Sequence, residues 1–408
     1  MESTRNEQQP LPTTVEADID SEAPSYTVFT TRQKKWIVFI AASAGWFSTA
    51  SSFIYFPAIP FLARDLGASV QEINLTVSSY LIASGIFPSI WGNFADHYGR
   101  RPVFIMSIGA YIAINIGLAV QRSFAALVTL RMLQSMAISD DVQGGTHSLI
   151  RAGGGDLKRL TNPFTAFGLL KNYGTAVSVA CFGVYYTIYS CLQASLSTIF
   201  VEIYAVSRLV AGLSYMPFGI ACMLGSSLAG KLLDYDYTRT AESLSLTIDR
   251  RKGDDLRAFP IEYARLRTCK YFIALCAPLI IGYGWALQSK VVSPKLRDEA
   301  KSPELAISLL TILQFFIGFT NQVNFTSLNA LLVDFHPHQP SAIQGASNFV
   351  RCELAAGGIA LLDLLLRTLG PGWCFTVFAS LHVITLPALW VLEACGLSWR
   401  KKQSGERK

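Results

Sequence analysis

Eight stretches of this chain contain no Asp, Glu, Lys or Arg. They run Trp36–Ala63, Ile73–Ala95, Pro102–Gln121, Asn172–Val201, Leu209–Gly230, Tyr271–Ser289, Leu305–Val333 and Thr368–Leu392, each of 19 residues or more. A helix of about 20 residues crosses ~30 Å of hydrocarbon. In lipid the backbone must satisfy its own hydrogen bonds, so runs of this kind become helices. Two interrupted segments belong with them. Ser123–Ser139 contains Arg131, and Ser341–Leu366 contains Arg351, Glu353 and Asp363. The expected fold class is therefore an all-α polytopic membrane protein with about ten spans. Only 15% of residues are charged and the mean hydropathy is +0.35, against about 25% charged in soluble domains. That balance excludes a disordered or nucleic-acid-coating chain and argues against a soluble enzyme of several domains.

The spans fall into groups of four and six. The sequence divides into a disordered cytoplasmic N-tail (1–35), a first helical group (36–139) and a Gly-rich cytoplasmic linker (140–171). A second group (172–393) follows, with a cytoplasmic loop at 231–270, and then a C-tail (394–408). With both ends inside, 24 of the 34 Lys and Arg residues are cytoplasmic, as the positive-inside rule requires. The basic clusters Arg32–Lys35, Arg100-Arg101 and Arg400–Lys402 adjoin spans and Arg250–Lys252 lies in the cytoplasmic loop between two of them, which disfavours nucleic acid as a partner. The acidic N-tail lacks the basic start of a cleaved signal peptide. The eight cysteines form no CxxC pair and the five histidines show no metal-ligand spacing, so no metal, cofactor or disulfide is expected. Asn74-Leu75-Thr76 matches a glycosylation acceptor but abuts the membrane.

Ionic and amide groups within the spans are the candidates for function, because each is costly there. Gln134 lies one turn from Arg131 on the same face. Arg stays protonated and cannot itself carry a proton. Its expected work is to hold an anionic substrate or to shift a carboxylate. No Asp or Glu lies inside the first three spans, so the proton-carrying group is not visible. Tyr185, Tyr189 and Gln193 recur every four residues and form a candidate substrate stripe, as do Gln314, Asn321 and Asn324 in the eighth span. Interhelical hydrogen bonding is the alternative role for these amides. Asn348 and Arg351 in the ninth span are candidates for gating against the second.

Two motifs are more specific. Gly92-x3-Asp96-x2-Gly99-Arg100-Arg101-Pro102 closes the second span, and Gly230-x3-Asp234 closes the sixth at the corresponding place. The repetition suggests a duplicated architecture. The first pattern resembles the signature loop of the major facilitator superfamily. Arg131-x2-Gln134 looks like a motif of its proton-coupled drug exporters. Pro57-x2-Pro60 is similar to the end of their first helix. Gln314–Phe319 and Asn348–Cys352 resemble fungal multidrug and metabolite exporters.

The resemblance implies a helical bundle in which two groups rock about a midplane cavity. Asp96, Arg100 and Arg101 would form a cytoplasmic latch. Small organic molecules, drugs or secondary metabolites, would leave in exchange for protons. The expected membrane is the plasma membrane, with the vacuolar membrane as the alternative. The family has twelve helices, six per half, whereas this chain has ten (4 + 6) instead of 12. The missing pair corresponds to helices five and six, and the only Gly-Pro is Gly370-Pro371. Losing a pair preserves inside/outside parity. Beside an exporter, two readings stand: a transport-inactive or receptor-like remnant of such a carrier, and, distantly, a polytopic membrane enzyme. The chain supplies no convergent catalytic cluster for the enzyme.

Overall fold

The computed structural model describes residues 30, 32–33, 35–37, 39–40, 43, 51–98, 100–138, 165–204, 206–244, 259–292, 303–337 and 339–405. Two units emerge, Met1–Ser43 and Ala44–Lys408. In the first, the described residues from 32 to 43 are helical. Gln33 Oε1 accepts from the backbone N–H of Thr30 at 2.9 Å.

The second unit is helical throughout its described regular structure. Its helices are α1 (Ile59–Leu66), α2 (Val70–Tyr98), α3 (Arg100–Val120), α4 (Phe124–Ile138), α5 (Thr165–Gly168), α6 (Tyr173–Tyr204), α7 (Arg208–Leu213), α8 (Met216–Ser243), α9 (Ile261–Leu266), α10 (Cys269–Val292), α11 (Pro303–Phe335) and α12 (Pro340–Gly405). The linker region thus holds a short helix, α5, followed by a 3-10 turn at Leu169–Lys171. α8 continues past Gly230 to Ser243, and α12 runs on through Gly405.

Local chemistry explains several boundaries. α1 ends at Gly67, whose φ of 62° is left-handed, a conformation open to glycine at no steric cost. α2 opens on a capping box: Ser69 N and Oγ donate to Glu72 Oε2 at 2.7 and 2.9 Å, satisfying orphan donors at the helix start. α12 is two helices meeting at Gly370, where φ is 76° and ψ 163°. Pro371 opens the second arm, and Gln288 of α10 accepts from the Gly372 N–H at 3.1 Å.

α2 packs on α4, and α3 on α4, forming the first group. α6, α8, α10, α11 and α12 pack against one another as the second. The groups meet where α2 lies against the first arm of α12. Along α3, Ile105, Ile112, Ile116 and Val120 are exposed, Val120 by 72%. An apolar face of that extent is unsuited to water and suited to lipid. Helices long and apolar enough to cross a membrane include α3 (Arg101–Val120) and the segments Tyr173–Val201, Leu209–Ser243, Ile261–Ser289 and Ala342–Lys401. The last contains both arms of α12 and is long enough for two crossings.

Small residues set the closest helix approaches. A Cβ on Gly225 of α8 would stand 2.7 Å from the Phe319 carbonyl oxygen of α11. This backbone-to-backbone contact is the kind that brings membrane helices together without a hydrophobic driving force.

Candidate functional site

Arg131 sits two turns into α4 and is only 2% exposed. Its Nη1 donates to Gln134 Oε1 at 2.6 Å, and Gln134 Nε2 donates on to Asn115 Oδ1 of α3 at 2.9 Å. The guanidinium stands 4.2 Å from the centre of the Tyr55 ring and 4.3 Å from that of Tyr80. Two aromatic faces therefore replace part of its lost hydration. Tyr55 is held by a 2.8 Å bond between its hydroxyl and Thr76 Oγ1. The Tyr80 hydroxyl accepts from Ser52 Oγ at 3.1 Å. No carboxylate pairs with this cation among the described residues. Its Nε and Nη2 are buried and make no hydrogen bond. A guanidinium with two unused donors on one edge is a fork shaped for an anion.

A second cationic centre belongs to the other group. Arg351 Nε and Nη2 donate to Asn348 Oδ1 at 3.0 and 2.8 Å. Its guanidinium lies 4.8 Å from the Tyr186 ring centre and 5.8 Å from that of Phe325. Asn348 Nδ2 in turn donates to the Ser84 carbonyl of α2 at 2.8 Å. The ninth-span pair expected to face the second span therefore touches α2 through Asn348. Tyr186 links this centre to Tyr189, ring centres 5.9 Å apart. Tyr189 packs edge-on against Phe53 at 5.1 Å, so aromatic rings run between the two groups.

The expected stripe of α6 divides. Tyr189 and Gln193 face this aromatic wall, and the Gln193 Oε1 is buried without a hydrogen bond. Tyr185 turns instead into the packing against α12, where its hydroxyl pairs with Thr385 Oγ1 at 2.6 Å. Four residues advance a helix by slightly more than one turn, so the stripe drifts away from one face. On α11, Gln314 Nε2 donates to the Tyr283 hydroxyl at 3.2 Å. Asn324 accepts from Cys269 Sγ at 3.3 Å. Both are interhelical contacts within the second group. Asn321 is buried as well.

In the first signature loop, Gly92 and Asp96 lie in the last turns of α2, and Arg100 opens α3. Arg101 is exposed. Gly99 and the side chains of Asp96 and Arg100 lie outside the described residues, and so does the latch expected of them. In its echo, Gly230 and Asp234 are exposed on α8. The buried acid there is Asp236, which accepts from Thr268 Oγ1.

Sequence reasoning missed the partners of Arg131 (Tyr55, Tyr80 and Asn115), because aromatic residues are common in spans and nothing in their spacing marks them. It also read 231–270 as a cytoplasmic surface loop. α9 is instead pinned to the bundle: Arg400 Nε and Nη2 hold Glu262 Oε1 and Oε2, each at 2.7 Å. Arg265 pairs with Asp334 at 2.8 Å, and Lys270 with Glu393 at 2.7 Å.

Comparison with known proteins agrees with this picture. The model of the Major Facilitator Superfamily matches residues 41–139. The MFS-type transporter phiD of a Fungal sp. is 27% identical, over 95% of this chain and 72% of that protein. The MFS-type transporter clz19 of Cochliobolus lunatus is 26% identical, over 98% and 90%. Citrate exporter 1 of Aspergillus niger is 26% identical, over 98% and 93%. The match to phiD spans 488 positions, which a chain of 408 residues can do only by skipping stretches that its relative holds. Among solved structures, the human organic anion transporter MFSD10 superposes with a TM-score of 0.52 at 14% identity, over 87% of this chain and 93% of that one. The bundle, the doubled motif and the relatives together liken this chain to the major facilitator superfamily and to its fungal exporters.

Proposed function

We propose that the chain exports a small organic molecule bearing a carboxylate, such as a secondary metabolite or an acidic drug, in exchange for protons and by alternating access. The observation that carries this reading is Arg131. A desolvated guanidinium with two unused donors and two tyrosine faces suits a ligand with an anionic head and an apolar or ring-bearing body. The name of one relative, a citrate exporter, supports an organic acid as cargo. On this reading the two helical groups part along the crossing of α2 and α12, while Asn348 and Arg351 hold that crossing closed. Both termini are cytoplasmic, the charged loops lie inside, and the membrane is the plasma membrane.

Labelled citrate released from proteoliposomes is the first test. Wild-type vesicles should release it at least tenfold faster than vesicles carrying Arg131→Ala. If citrate is retained, a panel of mono- and dicarboxylates takes its place. Equal rates across that panel for wild type, variant and protein-free vesicles would refute the export reading. They would favour the second reading, a remnant without flux, which is motivated by the stretches that the longer relatives hold and this chain lacks.

A further inference from the structure

The crossing of α2 and α12 holds an unmatched acid. Ser78 Oγ donates to the Ala356 carbonyl at 2.9 Å, and Asn348 Nδ2 to the Ser84 carbonyl, so the two helices are clamped on either side of Glu353 along α12. Gly85 brings the α2 backbone onto Glu353. A Cβ there would stand 3.2 Å from Glu353 Oε1, 3.3 Å from Cys352 Cβ and 3.4 Å from the Phe349 carbonyl oxygen. Glu353 Oε1 is buried without a hydrogen bond, while the residue as a whole is half-buried.

Among the described residues, the groups around it offer no counter-charge. α2 carries no ionic side chain from Ile73 to Ala95. On α12, Arg351 is turned to Asn348 and to the Tyr186 face, and Cys352 adjoins. α6 presents Tyr186. The other acid of this arm, Asp363, is paired with Arg367 at 2.8 Å. An ionised carboxylate with one oxygen held against backbone and given no donor is costly within the bilayer, whereas the neutral acid is tolerated.

We infer that Glu353 is the proton-carrying group of the exchange, seated in the seam that closes the two helical groups on each other. This deepens the antiport reading above and rests on it. The cycle is a simple transfer. The carboxylate forms one O–H bond with a proton from water on one side of the membrane, the seam closes on the neutral acid, and reopening returns that proton to water on the other side. No electron changes hands. Because the closed seam favours the neutral side chain, proton binding and seam closure are coupled.

A hydrophobic carbodiimide, which reacts with protonated carboxyls, tests the site without a substrate. In liposomes at pH 7, mass spectrometry should find Glu353 modified at least tenfold more than two controls, the exposed Glu72 and the buried but ion-paired Glu262. Labelled citrate tests the coupling. Glu353→Gln should lose the movement driven by an imposed pH gradient by tenfold or more and keep citrate–citrate exchange. A Glu353 as unreactive as the controls, or gradient-driven movement equal in wild type and Glu353→Gln, overturns the assignment. Exchange of citrate by wild type with no response to the gradient refutes proton antiport itself, so the two failures are told apart.

Discussion

Removing Arg400 should destabilise the protein far more than removing both members of its ion pair. Glu262 is 1% exposed and receives two charge-assisted bonds of 2.7 Å from Arg400. The same guanidinium also donates to the Phe259 carbonyl at 2.8 Å. Arg400→Ala strands a carboxylate under α12, where Gly396 already presses on it: a Cβ there would lie 2.6 Å from Glu262 Cγ. Breaking a buried pair from one side costs about 3–5 kcal/mol. Arg400 keeps 20% of its side chain exposed, so water can partly replace it and the lower end, about 3 kcal/mol, is expected. Replacing both partners by apolar residues of similar volume is often neutral or stabilising by about 1–4 kcal/mol. Glu262→Leu with Arg400→Met should therefore melt at or above wild type. Cys181, Cys191, Cys269, Cys276, Cys352 and Cys374 are buried free thiols, so a thiol-reactive dye reports unfolding in detergent directly. Should the double variant melt as low as Arg400→Ala, the pair would be stabilising α9 in its own right, and the reasoning from desolvation would be wrong.

Other expectations are equally direct. Arg131→Lys keeps the charge but loses the planar fork and its stacking on Tyr55 and Tyr80; export should fall at least tenfold while the melting temperature stays near wild type. Gly225→Ala forces a methyl to 2.7 Å from the Phe319 carbonyl oxygen and should cost about 1–3 kcal/mol by overpacking, read in the same dye melt. Gly230→Ala, with nothing within 4 Å, should melt no lower than wild type. The Ser69 N–H and hydroxyl hold the Glu72 carboxyl below its ordinary 4.5. A depressed folded value means stability present above the unfolded value and lost as pH falls through the folded one. The advantage of wild type over Glu72→Gln should thus be full at pH 7 and vanish in strong acid.

How far the sequence reaches depends on what each feature requires of the chain. Spans were legible because solvation in oil forbids ionised groups over a whole helix, leaving a signal 19 residues or longer. The Arg131–Gln134 contact was legible because residues three apart meet on any helix. Tyr55 and Tyr80, which complete that centre, come from two other helices, and no local period places them beside Arg131. The buried role of α9 was hidden for the opposite reason. Glu262, Arg265 and Lys270 look like solvated loop charges until their partners Arg400, Asp334 and Glu393 arrive from distant helix ends. Glu353 was visible as a costly acid. What points to it as a proton site is the nearness of Gly85 and the turning away of Arg351, and both are facts of tertiary packing.

This shorter chain should remain a working carrier with Arg131 at its heart. The most direct measurement is untargeted profiling of acidic metabolites in the medium of a fungal host expressing wild type, Arg131→Ala or an empty vector at equal membrane abundance. One or more carboxylates should be enriched with wild type and absent with the other two. Identical media from all three would contradict it.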